Sequence, residues 1–124
     1  MDFAFTEDQL AFRDAVRDLL AGTCSPADVR AAWDADDPWS ADRWEALVEM
    51  GVLDVAGLGL TEVDLVLLFE EAGWAALPEP LVESCLLGDG TQKVAAAPAG
   101  ATHVSGAASA DLVVVGPRAY AGAP

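Results

Sequence analysis

The chain has 124 residues, 53% of them hydrophobic, with 21 acids against 6 bases and a net charge of -15. That length sets one domain as the starting expectation, and the apolar content excludes a wholly disordered chain. The charge argues against nucleic acid and against anionic membrane surfaces. It would also repel an anionic ligand such as a nucleotide, unless another chain supplied the positive charge. Solubility accounts for it before any ligand does.

No apolar run approaches the roughly 18 residues of a membrane span. The N-terminus carries acids where a secretion signal needs bases, so a cytoplasmic location is expected. Cys24 and Cys85 fit a reducing compartment as packed thiols. The single His103 has no Cys, Asp or Glu at ligand spacing, so no metal site is expected.

Thr6 opens the first expected helix, with Gln9 completing a capping box and Phe5 and Leu10 placed as a staple. Leu10, Phe12, Val16, Leu19 and Leu20 form its apolar side, and Gly22 is expected to stop it. Ser25-Pro26 starts a shorter helix with Val29, Ala32 and Trp33 facing inward. Ser40 caps a third, with Trp44, Leu47 and Val48 inward and Gly51 closing it. The four tryptophans are expected to pack in the core and at its rim.

The segment from Leu60 to Pro80 holds the densest apolar run, Leu65-Val66-Leu67-Leu68-Phe69. Thr61 and Asp64 mark its start, Leu60 and Leu65 suit a staple, and Gly73 is expected at its C′ position. Apolar residues cover nearly the whole circumference, so a buried central helix is expected, with Glu70 and Glu71 on its one polar edge. At about 16 Å it is too short to cross a bilayer.

Pro78 and Pro80 then break the chain, and Leu81 to Leu87 form a last short helix before Gly88. Residues 91–124 hold only Asp111, Lys93 and Arg118 as charges and turn to Ala, Gly and Pro. A boundary near Gly88–Gly90 follows, dividing a helical unit, 1–88, from a tail, 89–124. Thr102–Val104 and Leu112–Val115 are the tail's β-like runs. The expected fold is mainly α: a small helical bundle with a short Ala/Gly-rich β-like tail.

Five segments in order resemble the N-terminal helical domain of the acyl-CoA dehydrogenase family. They are Met1-Asp2-Phe3-Ala4-Phe5-Thr6-Glu7-Asp8-Gln9, then Phe12-Arg13-Asp14-Ala15-Val16-Arg17, then Trp44-Glu45-Ala46-Leu47-Val48-Glu49-Met50-Gly51. Gly57-Leu58-Gly59-Leu60-Thr61-Glu62-Val63-Asp64 running on to Glu70-Glu71-Ala72-Gly73 is the fourth, and Ala76-Leu77-Pro78-Glu79-Pro80-Leu81 the fifth. A weaker likeness joins residues 103–115 to the family's middle β-domain.

The resemblance implies FAD, an acyl-CoA substrate, and oxidation in which a carboxylate takes the Cα proton and the flavin takes a hydride. It places the catalytic Glu in a C-terminal domain that this sequence lacks, so no residue is assigned as catalytic and none as cofactor-binding. The family's Pro-Glu-Glu-Tyr-Gly-Gly loop is also cut down before Gly57. FAD is therefore expected not to be held by this chain alone. The expected role is a truncated, non-catalytic subunit beside a full-length acyl-CoA dehydrogenase-like partner. The alternative is a stand-alone helical interaction module, or a decayed product without activity. By position, Glu83 and Leu87, four apart on one helix face, are the residues proposed to line the acyl cavity. The competing assignment puts Leu87 in the core and Glu83 on the surface.

Overall fold

In the computed structural model, helix α1, Glu7–Thr23, starts where Thr6 closes its capping box: the Gln9 amide donates to Thr6 Oγ1 at 3.2 Å and the Thr6 amide to Gln9 Oε1 at 2.8 Å. The structure describes residues 4–54, 57–89 and 91–122. The opening Met1-Asp2-Phe3, Val55 with Ala56, and Gly90 of the expected boundary lie outside them. Val16 and Leu20 of α1 are buried, and the helix runs one residue beyond Gly22 to a cap at Cys24.

Helix α2, Pro26–Trp33, repeats the start chemistry with Ser25 and Asp28. Only Val29 is buried there; Trp33, expected inward, is 77% exposed. Two turns carry one narrow apolar stripe, and Trp33, the last residue of the helix, falls outside it. Helix α3, Ala41–Met50, is capped by Ser40 and closed by Gly51 at φ 84°, the left-handed value glycine takes without a Cβ clash. Trp44 and Leu47 are buried on it, and so is Arg43.

Helix α4, Glu62–Trp74, packs along α1. Leu65, Leu67, Leu68 and Ala72 are buried, but Val63 and Val66 are more than half exposed. The expected all-round burial fails because the partners of α4 cover one side only. Its other buried residue is Glu71. Glu70 is exposed, so the two acids do not share a polar edge.

Gly73 does not end α4. The helix passes through it to Trp74, and the left-handed residue is Ala76 at φ 51°. The Leu77 amide donates to Ala72 O at 3.0 Å and the Ala76 amide to Gly73 O at 3.1 Å. This is the Schellman pattern with Ala76 at C′ and Leu77 at C″. Leu77 packs against the core, which places the stop three residues later than Gly73 suggests.

Helix α5, Leu81–Leu87, buries Leu81 and Ser84. The tail is a three-stranded sheet. Strand β1, Val94–Ala97, pairs parallel with β2, Leu112–Val115, and β2 pairs antiparallel with β3, Arg118–Ala121. Thr102–Val104 is not a strand; it lies in the crossover between β1 and β2, and the Ala-rich Val94–Ala97 takes the ladder position instead. The sheet is fastened to the helices. Val94 and Ala95 are buried, Ser84 Oγ accepts from the Val94 amide at 2.9 Å, and Trp44 Nε1 donates to Thr91 O at 3.0 Å. The chain is thus mainly α, with one core drawn from α1 to α5 and the Val52-Leu53 turn.

Candidate functional site

Where α4 turns into α5, the Schellman stop and the two prolines hold the helices apart. The resulting groove, about 360 Å³, has Phe69, Gly73, Leu77, Pro78, Val82 and Glu83 in its walls. Glu83 is half-buried at its edge. Leu87, one turn on, is outside the lining and 48% exposed, so the competing placement of Leu87 in the core does not hold. Several apolar side chains of these two helices are exposed: Val63 and Val66 on α4, Val82 and Leu86 on α5, and Trp74, which is 89% exposed.

The turn is anchored by a buried ion pair. Glu79 Oε1 accepts from Arg43 Nη1 at 2.6 Å and from the Ser40 amide at 2.7 Å. Arg43 also donates to Thr23 O, from Nε at 3.0 Å and Nη2 at 2.6 Å. One side-chain pair therefore ties the end of α1, the start of α3 and the α4–α5 turn. Glu79 Oε2 is buried without a partner among the described residues. A second pair joins α1 to α4: Arg17 grips Glu71 with Nε at 3.0 Å and Nη2 at 2.6 Å. Those hydrogen bonds, with the charge of Glu71, raise the Arg17 pKa further.

A pattern described as the acyl-CoA dehydrogenase N-terminal domain matches residues 6–96, from the α1 cap into β1. The chain belongs to the acyl-CoA dehydrogenase family. No curated protein and no solved structure matches it.

For an acyl-CoA dehydrogenase domain, the first question is whether these residues fit FAD. A dinucleotide's diphosphate needs free cations or a cluster of free backbone N–H donors. Arg13 is paired with Asp14, Arg17 with Glu71 and Arg43 with Glu79, while Lys93 lies over the Trp39 ring at 5.8 Å. Arg30 on α2 and Arg118 on β3 are exposed, and neither lines the α4–α5 groove. The α4–α5 groove carries Glu79 and Glu83 in its lining and no base. The groove does not fit a diphosphate.

The carboxylates that the sequence sets side by side do not converge. Glu71 is buried on Arg17 while Glu70 faces out, and Asp36 and Asp37 are exposed in the loop after α2. Burial pushes the Cys85 thiol up to about 12, and burial also raises Cys24, so both stay protonated at neutral pH. Among the described residues, no group of three or more His, Cys, Asp or Glu is placed to hold a metal ion. No helix there is long and apolar enough to cross a membrane.

The sequence does not reveal the Arg43–Glu79 pair. One signal was present: Arg43 lies four residues before Leu47, on the apolar side of α3. Nothing local marks Glu79 as its partner.

Proposed function

We propose that this chain supplies a helical wall to an acyl-CoA-oxidising flavin enzyme and is not itself catalytic. In this reading a fuller acyl-CoA dehydrogenase-like subunit brings the base and most of the FAD contacts. The α4–α5 groove, with Glu83 at its edge and Leu87 on the surface beyond, lies toward the acyl chain of the acyl-CoA. One observation carries the reading beyond family membership. Val63, Val66, Trp74, Val82 and Leu86 of α4 and α5 are exposed apolar side chains outside the core, and a partner's cover is what would remove them from water.

The test is a spectrum and a sizing run. The protein is purified alone and mixed with the acyl-CoA dehydrogenase encoded nearest to it. Flavin absorbance co-eluting only with the mixture is the expected result, with acyl-CoA oxidation absent from the chain alone. A colourless protein that does not associate overturns the proposal. It would favour a helical interaction module without activity, a reading that the acid-lined, base-free groove also supports.

A further inference from the structure

A second and larger cleft opens at the other end of α4, between its first turn and that of α1. Its volume is about 560 Å³, and it shares no lining residue with the α4–α5 groove. Phe12, Met50, Leu58 and Leu60 give it an apolar floor. The first two and Leu60 are half-buried, and Leu58 is more exposed than not, so this surface is open to a ligand. Pockets of this size and mixed lining suit small molecules.

The polar part of the wall has one sign. Asp8 and Asp64 line the cleft, and no Lys or Arg does. Asp64 is committed through Oδ2, which accepts from the Thr61 amide at 2.7 Å and the Thr61 hydroxyl at 2.8 Å. Asp8 has no hydrogen bond or ion pair among the described residues. An anion would meet two carboxylates on a chain already at -15. A neutral apolar molecule would use the floor and leave Asp8 unanswered. A cation with an apolar body uses both, and the ring of Phe12 adds a surface that favours positive charge.

We propose that this cleft binds a small organic cation of the alkylammonium class, its chain on Phe12, Met50, Leu58 and Leu60 and its ammonium group at Asp8. The site stands independently of the acyl-CoA reading, since it uses other residues at the opposite end of α4.

The probes are hexylammonium, hexanol and hexanoate, titrated separately into the ¹⁵N-labelled chain. Hexylammonium is expected to shift the amides of Gln9, Phe12, Leu60 and Asp64 saturably, hexanol weakly and hexanoate not at all. Asp8→Asn is expected to weaken hexylammonium about two- to fivefold, the size of one solvent-screened charge pair, and added salt to weaken it likewise. Leu58→Ser, on an exposed side chain, is expected to weaken hexylammonium and hexanol together. Equal binding of hexanol, unchanged affinity in Asp8→Asn, or shifts scattered over the acidic surface would overturn the site.

Discussion

The three arginine ion pairs differ in what surrounds them, and that difference sets their worth. Arg43 and Glu79 are both buried, at 7% and 0% side-chain exposure, so removing one strands the other away from water. Arg43→Ala is expected to cost about 3–5 kcal/mol, the usual size for breaking a buried pair. Arg17 is half exposed while its partner Glu71 is buried. Water screens the guanidinium but cannot easily reach the carboxylate, so Arg17→Ala is expected to cost less than Arg43→Ala and more than Arg13→Ala. Arg13 and Asp14 meet near the surface, and Arg13→Ala is expected to cost less than about 1 kcal/mol. Urea titrations of the three variants give the order. If Arg13→Ala proved as damaging as Arg43→Ala, burial would not be the controlling variable.

Helix ends offer two tests of a different kind. The Schellman stop of α4 puts Ala76 at φ 51°, a conformation that costs an L-residue roughly 1–2 kcal/mol relative to its ordinary regions. Ala76→Gly is therefore expected to raise stability by about 0.5–1 kcal/mol, the part left after glycine's greater unfolded-state freedom. A loss of stability would mean that the Ala76 methyl packs usefully. The second test concerns the caps. The Ser25 hydroxyl lowers the pKa of Asp28, and the Thr61 amide lowers that of Asp64. The unfolded chain then binds protons more tightly at these groups than the folded one. Their stabilisation is complete above the unfolded value of about 3.9 and is lost as pH falls through the lower folded values. Between pH 5 and pH 3, the double variant Asp28→Asn/Asp64→Asn should lose less of its urea midpoint than the parent. Parallel curves would remove the caps from the pH response.

Those helix starts are legible because they are local. Thr6 with Gln9, Ser25-Pro26 with Asp28, Ser40 and Thr61 with Asp64 each need only three or four consecutive residues. In the first three the cap hydroxyl accepts a helix amide, whereas the Thr61 hydroxyl donates to Asp64. What escapes local reading is decided by distant partners. Leu77 moves the end of α4 past Gly73 because the core offers it a place. Arg17 finds Glu71, and Arg43 finds Glu79, across stretches of 54 and 36 residues that no periodicity encodes. The same limit applies at the groove. The position of α5 could be read, but the direction of Leu87 depends on which side of α5 the rest of the chain covers.

At the scale of the whole molecule, the excess of acids opposes folding that the core favours. A charge of -15 on 124 residues repels itself in the compact state and relaxes when the chain expands. Salt weakens that repulsion over a distance of about 8 Å at physiological ionic strength, comparable with the spacing of charges on a small domain. It also weakens the exposed Arg13–Asp14 attraction, but that pair contributes little. The buried Arg43–Glu79 pair is beyond the reach of mobile ions. Of the forces that salt can touch, repulsion is thus the stronger. Raising sodium chloride from about 10 mM to about 500 mM, at neutral pH, is expected to shift the urea midpoint upward. Arg43→Ala and the parent should gain alike, since the pair that separates them is shielded from solvent. A downward shift in the parent would mean that surface attractions outweigh the net charge.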